Sequence, residues 1–180
     1  MRFVGVMLAC FALVPALACG SGGDTTPGSF TVDFPTVAAG VATMSITTGV
    51  QVFAFATSAS GALDGAAGEA CQGLIEQSVT NSQQTGMAAT FTTKPVATSA
   101  LLSPCDLLAG KGSVPVPYGT YAFLAVAASS SGPDLLVGCA EQTISSTNTA
   151  VVIPLTLVNA KTAVPVTKCT TLSEACSGGC

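Results

Sequence analysis

Histidine and tryptophan are absent from this 180-residue chain, and arginine occurs once, at Arg2. Without histidine there is no Ser-His-Asp or Cys-His nucleophile and no imidazole to hold a metal. Positive charge is scarce throughout. Arg2, Lys94, Lys111, Lys161 and Lys168 stand against nine Asp and Glu, for a net charge of −4. Nucleic-acid binding needs clustered cations and is excluded as a partner class. Poverty of charge is not disorder here, because 49% of the residues are apolar, whereas disordered chains are poor in them. Cys-x-x-Cys and Ser-x-x-Lys do not occur, and Asp24, Asp33, Asp64, Asp106 and Asp134 lack calcium-loop spacing. The "GSGG" at 20–23 has no strand, helix or lysine around it to make a phosphate loop. These absences predict a chain with no cofactor, no metal and no enzymatic activity.

What is present begins at the N-terminus. Met1-Arg2 is followed by the apolar run Phe3 to Val14, then Pro15 and Ala16-Leu17-Ala18. A basic start, a short apolar core and small residues at a cut site are the parts of a secretory signal, predicted over 1–18. Phe3 to Ala18 falls short of the roughly 20 residues that span a bilayer, and no basic stop-transfer cluster follows. Two enzymes fit the cut. An ordinary signal peptidase accepts the A-x-A-like "ALA" and leaves Cys19 as an unmodified first residue. Alternatively, Ala16-Leu17-Ala18-Cys19 resembles a bacterial lipobox, in which small residues precede a cysteine whose sulfur becomes a diacylglyceryl thioether. That resemblance implies lipidation (palmitate-type acylation) at Cys19. The Gly- and Ser-rich residues 19–29 then read as a tether between anchor and domain. Two or three acyl chains hold durably where one holds marginally, so the membrane becomes a partner without any spanning segment. Gly20 is not the aspartate linked to inner-membrane retention, so the resemblance implies the outer membrane.

Cysteine usage agrees with export. With Cys10 lost in the leader and Cys19 lipidated, six thiols remain: Cys71, Cys105, Cys139, Cys169, Cys176 and Cys180. An even number in an exported chain reads as disulfides. The spacing Cys169-x6-Cys176-x3-Cys180 does not suit zinc. Cys105 with Cys139, or Cys71 with Cys105, are the competing pairings, each closing a loop worth about 3–4 kcal/mol in chain entropy.

Along residues 30–160 the pattern is period two. Phe30, Val32 and Phe34 share a face, as do Ala42, Met44 and Ile46. In "VQVFAFA", Val50 and Val52 oppose Phe53 and Phe55; with Thr48 and Gly49 as a break, two neighbouring strands in a hairpin are predicted. Asp64 caps a helix over 64–80 carrying Ala67, Ala70, Cys71, Leu74 and Ile75 at spacings of three and four, although Gly68 and Gly73 weaken it. Residues 81–86 end that helix. "MAATFTT" predicts a strand with Met87, Ala89 and Phe91 on one side. Pro115 and Pro117 place their segment at an edge or in an extended connection, and Tyr118-Gly119-Thr120 turns into a strand apolar on both faces. "LLVGCAEQTI" and "TAVVIPLTL" are two more strands, the latter with Val151, Ile153, Leu155 and Leu157 inward and an edge or bulge at Pro154. Residues 161–180 form a Cys-rich tail.

The "P-x-G-x-Y" turn before a buried strand, Pro117-Tyr118-Gly119-Thr120-Tyr121, resembles the prealbumin-like and carboxypeptidase-regulatory-like sandwiches over residues 113–157. The expected fold is mainly β: a single antiparallel β-sandwich of about seven strands with one short helix, held by disulfides. The expected function is a lipid-anchored envelope module that binds a protein or a surface polymer through loops 58–68, 81–86 and 128–134. A structural envelope protein is one alternative. A carboxylate hydrolase using Glu69 and Glu76, seven apart on one helix face, is the other.

Overall fold

The computed structural model describes residues 31–33, 43, 47–57, 69–85, 90–109, 111–129, 134–158 and 168–179. The leader, Cys19, the tether, Asp64, Cys180 and most of the loops expected to bind lie outside the described residues. In chain order the elements are β1 (Thr31–Asp33), β2 (Thr47–Ala56), α1 (Glu69–Thr85), β3 (Ala97–Thr98), α2 (Pro104–Leu108), β4 (Gly119–Ser129), β5 (Asp134–Ile144), β6 (Ala150–Val152), β7 (Thr156–Leu157) and α3 (Leu172–Cys176).

Five of these strands form one antiparallel sheet in the order β3-β2-β4-β5-β7. The middle position of β4 follows from its sequence, because both of its faces are apolar. Tyr121, Phe123, Ala125 and Ala127 enter one core, while Ala122, Leu124 and Val126 enter another. β2 splits the same way: Val50, Val52 and Ala54 go to the first core, Phe55 and Phe53 to the second. A sheet buried on both faces needs two covering layers, and the chain supplies them differently. α1 lies over β4 and β5 and seals the second core with Ala70 and Leu74. The first core is closed by Val114 and Val116, by Val151, Ile153 and Leu155, and by α2 and α3 through Leu107 and Leu172. Fully burying a side chain such as Phe55, Phe123 or Leu74 stabilises by about 1.5–3 kcal/mol each.

The proline-rich approach to β4 is extended and alternates. Val114 and Val116 are buried, whereas Pro115 and Pro117 face solvent, where a missing N–H is harmless. The Tyr121 hydroxyl then donates to the Pro117 carbonyl oxygen at 3.0 Å, pinning the start of β4 to the segment before it. This is the geometry of a tyrosine corner. Burial pushes the Tyr121 hydroxyl pKa up.

Several expectations are corrected. Thr48 and Gly49 do not separate two strands; β2 runs through them with a bulge, and its partners are β3 and β4. Most of residues 41–47 lies outside the described residues, and Thr43 is helical. Asp64 and residues 65–68 lie outside the described residues; the described helix, Glu69–Thr85, continues through 81–85 rather than ending there. Residues 90–93 are not a strand. Phe91 instead packs edge-on against Phe53 and Phe55, with ring centroids 5.2 and 5.3 Å away. The edge beside β2 is made by 96–102, where Val52 N–H donates to the Ser99 hydroxyl at 2.9 Å and a side chain replaces part of the ladder.

The strand predicted across 149–157 divides at Pro154. Its first part, β6, pairs with β1, and that pair is parallel; its second part, β7, returns to β5 in the main sheet. The chain crosses between them against Gly138. A Cβ there would overlap the Pro154 carbonyl oxygen and lie 2.8 Å from its carbon. The glycine is required by this close backbone approach.

The disulfides also differ from both expected pairings. Cys71 joins Cys139, tying α1 to β5, and Cys105 joins Cys176, tying α2 to α3. Cys169 is disulfide-bonded as well. The reason is sidedness. Cys139 projects from the α1 face of the sheet, alongside Val137, whereas α2 packs into the opposite core. The sheet therefore stands between Cys105 and both Cys71 and Cys139. The observed pairs span sequence separations of 68 and 71. On the chain-entropy estimate each stabilises by about 4 kcal/mol.

The second clamp is built from short capped helices. Ser103 caps α2 by accepting from Asp106 N–H, with Pro104 in the first turn. Thr171 and Glu174 form a capping box on α3. The Lys111 hydrogen bond and then Ser103 hold the Asp106 carboxyl below its ordinary value, and Thr170 N–H and hydroxyl do the same for Glu174. Both groups bind protons more weakly when folded than when unfolded. Their stabilisation is present above the ordinary carboxylate range and is lost as pH falls through the folded values. Melting temperature is expected to drop between pH 5 and pH 2, and Asp106→Asn and Glu174→Gln are expected to drop less over that range, as followed by circular dichroism. Separately, Gly138→Ala is expected to lower stability by about 1–3 kcal/mol in denaturant titration, because a packed backbone must move.

Candidate functional site

α1 is amphipathic in an ordinary way: Ala70, Leu74 and Ser78 are buried towards the sheet, while Gln72, Glu76 and Thr80 are exposed. Its N-terminus is anchored to β5 twice. The Cys71–Cys139 disulfide is one link, and Cys71 N–H donating to Glu141 Oε1 at 3.3 Å is the other. A carboxylate at this end of a helix is favoured by the exposed N–H groups and the macrodipole. These links set the helix at a fixed height above the sheet.

Along one side of α1 the residues at 73, 76, 77 and 80 follow helical spacing. With Thr90, Phe91 and Thr92 facing them, they line a surface groove of about 530 Å³. Two features fix its chemistry. Gln77 Oε1 accepts from both Thr92 N–H (3.2 Å) and Thr92 Oγ1 (3.1 Å), which clamps the facing wall and leaves the amide NH2 as the outward donor. Glu76 Oε1 accepts from Gln72 Nε2 at 3.0 Å one turn earlier, and the carboxylate is exposed. Phe91 is half-buried, braced by Phe53 and Phe55, and contributes an aromatic surface to the lining.

Gly73 is the unexpected member. It lies in the interior of the helix, where glycine is less favourable than alanine by about 1 kcal/mol. No packing among the described residues accounts for it, since a Cβ there meets nothing within 4 Å. Its effect is to leave helix backbone accessible at one end of the groove.

The residues singled out from sequence distribute as follows. Cys71, Cys105, Cys139, Cys169 and Cys176 are disulfide-bonded, and Cys19 and Cys180 are outside the described residues. Glu69 is the first described residue of α1 and Glu76 sits in the groove, whose lining brings no second carboxylate beside it among the described residues. Of the three expected binding loops, 58–68 and most of 128–134 lie outside the described residues. β2 leaves the sheet at Ala56, opposite Tyr121, whereas β4 and β5 are joined beyond the opposite end of β4, opposite Thr47. Roughly 25 Å of strand separates those two ends. Residues 81–85 belong to α1. Phe91 and Thr92, which sequence reasoning placed in a strand, are the missed groove residues. Gly73 within a helical pattern was the available sign of the site.

Among the described residues no group of three or more Cys, Asp and Glu could hold a metal ion. No helix among them is long and apolar enough to cross a membrane. No protein-family model, curated protein or solved structure matches the chain. Gly73→Ala is expected to stabilise the fold by about 1 kcal/mol, read as a higher denaturant midpoint at unchanged slope.

Proposed function

We propose that this chain is a non-enzymatic lipoprotein of the bacterial cell envelope, anchored by acyl chains on Cys19 and using its β domain as a binding module. Export is supported by the leader and by the disulfide bonds, which persist in oxidising compartments. The lipid anchor is supported by Ala16-Leu17-Ala18-Cys19 and the Gly- and Ser-rich stretch after it, and Gly20 favours the outer membrane. The domain reads as a β-sandwich of the prealbumin-like kind. The five-stranded sheet is one layer, and β1, β6 and the extended 112–117 segment are the other. The tyrosine corner at Tyr121 fits that reading.

A binding role, over a purely structural one, is carried by one observation: the groove beside α1 holds an interior helix glycine that packing among the described residues does not require. Such a position is kept where another molecule approaches backbone closely. Hydrolysis by a carboxylate pair needs a second acid about 5–9.5 Å from the first. Among the described residues of the groove lining, Glu76 has none.

Intact mass of the mature protein tests the anchor. The expected species begins at Cys19 and carries acyl additions, with the hydrogens of its disulfides missing. Cys19→Ser is expected to move the protein from the membrane fraction to the soluble fraction. A mass equal to the unacylated chain, or a serine variant that stays on vesicles, overturns the lipoprotein reading.

A further inference from the structure

We infer that the groove beside α1 binds a neutral, polyhydroxylated ligand, a sugar unit of an uncharged surface glycan. The inference rests on the groove being the binding site, but it is independent of the lipid anchor. Elimination starts from charge. Among the described residues the lining has one carboxylate, Glu76, and no cation, so a phosphorylated or sulfated polymer would be repelled. A single exposed carboxylate is far short of the six or more oxygens that hold calcium. A wholly apolar ligand would desolvate the Glu76 carboxylate, the Gln77 NH2 and the Thr80 hydroxyl, at a loss for each.

A sugar ring matches what remains. Its hydroxyls donate to the Glu76 carboxylate and accept from the Gln77 NH2, which the two bonds from Thr92 orient outward. Its C–H face packs on Phe91, which Phe53 and Phe55 hold in place. Gly73 lets the ring approach the helix without meeting a side chain. The volume of about 530 Å³ falls within the range of small-molecule sites.

The test uses the full mature chain with maltotetraose, cellotetraose, laminaritetraose and the N-acetylglucosamine tetramer as probes. Binding is read by saturation-transfer NMR and calorimetry. At least one probe is expected to bind saturably, and Gly73→Leu and Glu76→Gln are each expected to weaken it by about tenfold or more. Both positions are on the outside of the helix, and a cooperative melting transition no lower than that of the unsubstituted protein confirms that the variants fold. Failure of all four neutral probes to bind overturns the inference, as does binding that both variants leave intact. Binding of heparin or of a peptide that Gly73→Leu abolishes also overturns it, while leaving the groove as a binding site. None of these outcomes bears on acylation of Cys19.

Discussion

Burial of β4 on both faces is the constraint from which the rest of the architecture follows. Every residue from Tyr121 to Ala127 is buried, so neither face of the central strand can meet water. A β strand of this kind is stable only between two layers. The chain provides a helix on one side and a patchwork on the other: a short parallel strand pair, an extended proline-bearing segment and two one-turn helices. That patchwork has little internal cohesion, because β1 and β6 are three residues each. Its attachment comes from the apolar side chains it sends into the first core and from cross-links.

The division of labour between the disulfides fits this picture. Cys71–Cys139 fastens the helical layer to the sheet, and Cys105–Cys176 fastens the patchwork layer to itself. Charge contributes little to either. The Lys111–Asp106 pair is 2.7 Å long, but both side chains are substantially exposed, and such pairs are worth little in water. With so few ions available, hydroxyl groups take the polar work at strand and helix ends: Ser99 in the β2 edge, Ser103 and Thr171 as caps, Thr120 against Thr143 between β4 and β5. A Thr- and Ser-rich, charge-poor composition is thus used to close backbone hydrogen bonds that elsewhere fall to Asp, Asn and Arg.

What was legible from sequence was local. β4 and β5 read correctly because period-two burial writes itself into consecutive residues, and the two-faced pattern of Val50–Phe55 marked the place of β2 beside the centre. Helical spacing found α1 although it ended the helix too early, since 81–85 continue it. What was not legible depended on which side of the sheet a residue lands. Cys71, Cys105 and Cys139 are equally spaced along the chain, and spacing says nothing about a sheet lying between two of them. The departure at Pro154 was marked as an edge or bulge, but its consequence, a strand that changes layers over Gly138, requires knowing what lies opposite. Phe91 illustrates the same limit. Its alternation with Met87 and Ala89 suggests a strand, whereas two phenylalanines nearly forty residues earlier decide where it packs.

Sidedness also relates the proposed anchor to the groove. β1 is the first described element after the Gly- and Ser-rich segment, and it pairs with β6, whose Val151 enters the core on the face away from α1. The groove lies on the α1 face, because Phe91 packs into the second core. The five-stranded sheet therefore separates the strand that follows the N-terminal segment from the groove. On the proposed reading, with Cys19 acylated and residues 19–29 as the tether, the patchwork layer would rest towards the membrane and leave the surface beside α1 uncovered. An attachment on the α1 side would instead set the bilayer and a groove ligand in competition for the same face. The layered burial that β4 imposes would, on that proposal, keep the two apart.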